Sequence, residues 1–173
     1  LNITDVDINK KIIQNLRLNY LKDTALGRLI EDTALKTINI IIQFNNNMII
    51  QIILNDNKYL NSLFEKMQNE NINIKKDAIL FLVELIECSK MVYQTRYVFN
   101  ETLFELDILP IIANILNNNK DNDESIIIHL IEIFLNILSA IPSPILNYLK
   151  NDNKQIKLIQ IFYKILFETE NFG

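Results

Sequence analysis

The chain has 173 residues, close to half of them hydrophobic and 22% charged, which fits one domain with a sizeable core and excludes wholesale disorder. Two glycines and three prolines are too few for a glycine-rich phosphate cradle or a sheet of many short strands. One histidine and one cysteine exclude a four-ligand zinc site and a disulfide framework within the chain, and a net charge of −4 argues against a nucleic-acid face.

Isoleucine and asparagine are over-used, so β-propensity misleads and periodicity decides the elements. The spacing predicts helices near residues 7–21, 33–44, 46–55, 57–68, 75–91, 93–106, 108–118, 124–140, 143–150 and 153–168. Breaks are expected at Glu31-Asp32-Thr33, Asn45-Asn46, Asp56, Asn69 to Asn73, Asp107, Asn117 to Asp123, Pro142 and Asn151-Asp152. Asp32, Asp56, Asp107 and Asp123 each precede an apolar-periodic run and are expected N-caps, and Pro144 suits a first turn.

Three segments carry a narrow polar stripe on an otherwise apolar helix. Between Ser125 and Ala140 the stripe is Ser125, His129, Glu132, Asn136 and Ser139, about 80° wide at about 100° per residue. In 75–91 it is Asp77, Glu84 and Glu87; in 153–168 it is Lys157, Gln160, Lys164 and Glu168. Helices apolar around most of their circumference are buried from several sides. Phe81, Leu85, Ile131, Phe134 and Leu138 are therefore expected in the core. The run Ile126 to Ile141 is interrupted by His129, Glu132 and Asn136, so it reads as a buried helix and not as a membrane span.

Long buried helices alternate with shorter amphipathic ones at a repeat of roughly 40 residues, the sign of an armadillo or HEAT-type solenoid. A compact helix bundle is the competing arrangement. The expected fold is all-α, a right-handed solenoid of about nine or ten helices over 1–173 as one domain. The chain opens at Leu1 without a methionine, which suggests a piece of a longer protein, and no signal peptide is visible.

An ordered series of short elements then carries a family resemblance. It runs from Tyr20-Leu21-Lys22-Asp23 through Glu31-Asp32-Thr33, Phe44-Asn45-Asn46, Asn55-Asp56 and Leu63-Phe64 to Phe81-Leu82 with Glu84-Leu85, then Arg96 and Ile108-Leu109-Pro110. The series resembles the central domain of the SMEK family, the regulatory subunit 3 of protein phosphatase 4, best over residues 16 to 116. The family usually has an aromatic where Leu35 stands and a glycine where Asp107 stands. The resemblance implies a non-catalytic targeting scaffold without cofactor, in cytoplasm and nucleus. Its implied partners are the phosphatase catalytic subunit, a second regulatory subunit and phosphoprotein substrates, with no nucleic acid and no membrane. The alternatives are an unrelated helical-repeat adaptor, for example in transport, and an all-α enzyme.

Candidate residues follow, each with a plainer reading beside it. Cys88 as a nucleophile is opposed by Glu84 and Glu87 on the same helix, so it reads as structural. His129 is the only candidate general base, but it reads as a surface or groove-facing residue without chemistry, with a partner contact as the sharper alternative. Glu84, Glu87 and Glu132 are acid–base candidates, a solvated face, or a binding surface. Residues 101–149 hold seven carboxylates against Lys120, a net of −6, while 150–164 holds four lysines against Asp152. An acidic surface facing a basic partner is one reading; solubility is the other. Tyr20, Lys22, Asp23, Phe44, Asn45, Asn46, Arg96 and Asn136 complete the partner-binding candidates, with Asn45 and Asn46 read alternatively as helix-terminating caps.

Overall fold

The computed structural model describes residues 6–25, 32–118 and 123–150, together with Gln160 and Tyr163. Among them there are eight helices and no strand. These are α1 (Val6–Ala25), α2 (Asp32–Asn55), α3 (Asn57–Met67), α4 (Ile72–Ser89), α5 (Tyr93–Glu105), α6 (Ile108–Asn117), α7 (Glu124–Ala140) and α8 (Pro142–Lys150). The all-α expectation is met; the predicted helix at 153–168 lies outside the described residues except at Gln160 and Tyr163, which are helical.

The largest departure from the predicted elements is α2. Residues 33–44 and 46–55 are one continuous helix, and Asn45 and Asn46 neither break nor cap it. Asparagine disfavours helix interiors because its side chain competes for the local backbone. Here that demand is met by α1 instead. Asn45 donates from Nδ2 to Asn15 Oδ1 at 2.9 Å and Gln14 Oε1 at 3.0 Å. Asn15 donates in turn to Asn46 Oδ1 at 2.7 Å. This amide clasp is buried, with Asn45 only 2% exposed.

The helix ends obey the chain's polar residues, with two corrections. Asp56 caps α3, accepting from the Lys58 N–H at 3.1 Å, and Asp123 caps α7, accepting from the Ile126 N–H at 3.4 Å. Asn71 caps α4 through the N–H groups of Asn73 and Ile74, so that helix starts at Ile72 and not at Lys75. Asp32 is already the first residue of α2. Asp107 precedes α6 but makes no cap hydrogen bond: it sits in the left-handed region at φ 60, ψ 37. That conformation costs an L-residue with a Cβ and suits glycine. At the other end of the chain, Pro142 starts α8 rather than breaking the chain, and Pro144 falls in its first turn.

Buried positions recur at helical spacing. Leu60, Leu63, Phe64 and Met67 form the inner face of α3, and Ala78, Ile79, Leu82, Val83, Leu85 and Ile86 that of α4. With the inner residues of α6 and α7 they make one continuous core. Leu85 and Phe134 are buried as expected, whereas Phe81, Ile131 and Leu138 are half-buried and pack against the core's edge.

Helix α4 packs against α2 on one side and α7 on another, while α3 packs against both α4 and α6. Helix α5 touches α2, α4 and α7, anchored by Thr95 Oγ1 donating to Asn47 Oδ1 of α2 at 2.6 Å. Two polar contacts fix the direction of α7. Lys76 near the start of α4, in its second turn, pairs with Asp123 at 2.6 Å, and Arg96 in the first turn of α5 donates to Ser139 at the far end of α7. Since α5 begins just after α4 ends, α4 and α7 run parallel. Helix α8 then turns away from α7 by 110°.

Among the described residues α2 is the one single helix long and apolar enough to cross a membrane, with a mean hydropathy of 1.3 over its best window, and α7 with α8 passes the same test only as a pair bent by 110°. The buried amide clasp of α2 and its packing against α1, α3, α4 and α5 are those of a core helix.

Candidate protein-interaction face

The candidate residues separate into three places. Tyr20, Lys22 and Asp23 lie in the last turns of α1, where Tyr20 is 72% exposed and Lys22 complements the negative end of the helix dipole. Phe44 projects from α2, also largely exposed, with the Lys11 ammonium of α1 5.2 Å from its ring centroid. Asn45 and Asn46, adjacent in sequence, point the other way and are consumed by the clasp. They hold α1 on α2 and are not available to a partner.

The second place is the uncovered side of α4 and α7. Helix α4 leaves Asp77, Leu80, Glu84 and Glu87 exposed along a strip beside its four neighbouring helices, and Met91 is exposed in the turn that follows it. Glu87 is paired with Lys90 one turn on, and Lys76 is held by Asp123. Glu84 and Glu132 form no ion pair among the described residues. On α7 the exposed sector contains Ser125 and Ser139, with His129, Glu132 and Asn136 half-buried.

Burial pushes the Cys88 thiol up to about 11, with the Glu84 and Glu87 carboxylates adding to it, so the thiol is protonated at neutral pH and is a poor nucleophile. His129 Nδ1 lies 2.6 Å from the Ser125 carbonyl oxygen of its own helix, and no nucleophile is placed against the ring among the described residues. Asn136 donates to the Glu132 carbonyl at 2.9 Å, again a bond within one helix. No group of three or more His, Cys, Asp or Glu residues is arranged to hold a metal among the described residues. Arg96, the third place, spends its guanidinium on Ser139 and joins α5 to α7.

The polar-stripe reading missed the apolar members of this face. Ile128 is 56% and Leu135 54% exposed, although both belong to a helix expected to be buried on all but its polar side. With Ile131, Glu132 and Asn136 they line a groove of about 460 Å³ along α7. The signal was present in the sequence: at about 100° per residue, Ile128 and Leu135 fall inside or beside the sector of Ser125, Glu132 and Ser139. Leu80 likewise shares the acidic sector of α4.

Comparison with known proteins follows from this arrangement. The chain is 31% identical over 159 residues to Suppressor of Mek1 of Dictyostelium discoideum, matching 87% of this chain and 15% of that protein. It is 26% identical to the serine/threonine-protein phosphatase 4 regulatory subunit 3 of Kluyveromyces lactis, over 99% of this chain and 25% of that protein. The Drosophila melanogaster protein of the same name is 27% identical over 96% of this chain and 17% of its own length. This chain therefore spans a quarter or less of these relatives. No solved structure matches it. The sequence profile described as phosphatase 4 regulatory subunit 3 matches residues 1–173, and the chain belongs to that family.

Proposed function

We propose that this chain is an armadillo/HEAT-like solenoid segment of a phosphatase 4 regulatory subunit 3, acting as a non-catalytic scaffold. The observation that carries the reading is the parallel stacking of α4 on α7, with α2 on the other side of α4, in a family member that offers binding surfaces and no catalytic constellation among its described residues. Stacking of successive helices in one direction is how helical repeats build extended binding walls. The acidic strip of α4 and the polar side of α7 form such a wall in this reading.

The partners are the phosphatase catalytic subunit, a second regulatory subunit and phosphoprotein substrates, in cytoplasm and nucleus. The scaffold acts through effective concentration: a substrate held on one surface meets a catalytic subunit held on another. Dephosphorylation itself belongs to the catalytic subunit.

The test uses the full-length protein carrying Glu84→Lys and Glu87→Lys. Co-purification of the catalytic and second regulatory subunits is measured against wild type, with helix content checked by circular dichroism. Loss of either partner with folding intact supports the α4 strip as the docking wall. Undiminished recovery of all partners removes that wall from the proposal. Metal-dependent phosphatase turnover by the purified chain alone would overturn the scaffold reading altogether.

A further inference from the structure

The uncovered sides of α4 and α7 repeat one another. Asp77, Leu80, Glu84 and Glu87 on α4 recur, position for position and at one constant separation in the chain, as Ser125, Ile128, Glu132 and Leu135 on α7. The two helices run parallel, and their heights are matched at both ends, by Lys76 with Asp123 and by Arg96, just beyond α4, with Ser139. Leu80 is therefore level with Ile128, and Glu84 with Glu132. The two strips also face the same way. Helix α3 packs on α4, α6 packs on α7, and α3 and α6 touch each other, so both lie on one side of the α4–α7 pair. The open strips look out from the other side.

Packed helices lie about 8–10 Å apart, axis to axis. Glu84 and Glu132 thus stand across one seam from each other, neither in an ion pair among the described residues. One turn before them Leu80 and Ile128 are each about half exposed. About one turn after them Leu135 is again exposed, and the groove of about 460 Å³ runs along α7 at this level.

We propose that this seam receives a basic amphipathic helix of a partner protein, its arginine or lysine set between Glu84 and Glu132 and apolar residues one turn to either side. The inference rests on the scaffold reading and names the chemistry of what the wall holds. Charge points to a cation from outside, because Lys76, Lys90 and Arg96 beside the seam are already engaged with Asp123, Glu87 and Ser139. Spacing points to a helix. Ile128, Glu132 and Leu135 follow at steps of four and three residues, a rise of about 6 Å and then about 4.5 Å, which a helix laid lengthwise meets at the same steps. An extended peptide, whose same-side residues repeat at about 7 Å, overshoots Leu135 by about 3 Å. A two-fold contact with a second copy would set these carboxylates against their own counterparts.

The probe is a helical alanine–glutamine host peptide carrying Leu, Arg and Leu at those steps, titrated into the full-length protein by fluorescence anisotropy. It is expected to bind at least tenfold more tightly than the same peptide with Glu in place of Arg. Glu84→Lys with Glu132→Lys should reverse that preference, and the milder pair Glu84→Gln with Glu132→Gln should erase it, in samples whose circular dichroism matches wild type. No binding of the Arg peptide to wild type, the same preference in every variant, or equal binding of a scrambled Arg peptide overturns the proposal. A dimer in sedimentation that Glu132→Lys dissociates gives the wall to a second copy and overturns it too. A full-length protein that recovers the phosphatase subunits but does not bind the peptide sinks this inference alone; one that binds the peptide but recovers no subunit sinks the scaffold reading alone.

Discussion

Removing the Asn45 side chain is a sharp test of how α1 is held on α2. Asn45→Ala deletes two hydrogen bonds, to Asn15 Oδ1 and Gln14 Oε1. A neutral intramolecular hydrogen bond is worth about 1 kcal/mol net, and a buried acceptor left alone costs about 1–3 kcal/mol. Asn15 is only 9% exposed, so its Oδ1 is desolvated when its donor goes, whereas Gln14 is exposed and recovers water. The expected loss is therefore about 2–4 kcal/mol, read as a lower urea midpoint with an unchanged slope. The double variant Asn15→Leu with Asn45→Leu discriminates further. Replacing both partners removes the Asn15 acceptor together with its donor and leaves only Asn46 Oδ1 without its bond, so the double loss should still fall below the sum of the single losses. A single-variant loss under about 1 kcal/mol, or strict additivity, would refute the view that the clasp rather than apolar contact fixes the register of α1.

Four further outcomes follow from particular residues. Asp107→Gly should be neutral or stabilise by up to about 1 kcal/mol, while Asp107→Val should cost about 1–2 kcal/mol, because only glycine tolerates the left-handed backbone freely; equal midpoints for the two variants would contradict this. Phe134→Ala should cost about 3–5 kcal/mol in denaturant unfolding, against less than about 1 kcal/mol for Leu135→Ala one position on, since the first is buried and the second exposed. Cys88 should alkylate about a hundredfold more slowly at pH 7.5 than an unfolded thiol, because its pKa is raised from 9.0 to about 11; since the folded value lies above the unfolded one, its stabilising contribution is complete below pH 9 and fades between pH 9 and 11. Asp123 has the opposite sign: the Lys76 ammonium, with the N–H groups of Ile126 and Ser125, holds its carboxyl below the ordinary value, so acid should loosen the start of α7 only below the usual carboxylate range, and Lys76→Met should weaken that dependence while the cap hydrogen bonds keep part of it in exchange-monitored titration.

What the sequence made legible is what depends on local pattern. The spacing of Leu60, Leu63, Phe64 and Met67, the caps at Asp56 and Asp123, and the apolar inner face of α4 all need only neighbours in the chain to be interpreted. What it hid depends on partners thirty residues away. Asn45-Asn46 reads as a helix stop because the amides that satisfy it, Gln14 and Asn15, sit on another helix. The cap at Asp107 looks like its counterparts until the backbone angle is known. Phe44 and Asn45 are consecutive in one motif, yet a helix places them about 100° apart, one over Lys11 and one inside. A linear motif thus joined a surface residue to a structural one. The polar stripes of α4 and α7 were legible as stripes; that Leu80, Ile128 and Leu135 share their exposure was a matter of angle, not of residue type.

The charge layout gives the α4 strip a direction of response. Glu84 and Glu87 are one turn apart on the same side of α4, where like charges three residues apart repel weakly. Lys90 answers Glu87 alone, and Lys76 is committed to Asp123. Glu84 is left facing solvent one turn on from Leu80, and its charge helps keep the Cys88 thiol protonated. An exposed pair of this kind contributes little to folding in either direction. A basic group brought against Glu84 meets a carboxylate with no ion pair to break, flanked by apolar side chains that exclude water as it docks. Complementary charge set in an apolar surround raises association rate and fixes register more than it raises affinity. The strip is thus suited to selecting a basic partner by charge, with the exposed Leu80 beside it as the apolar contact.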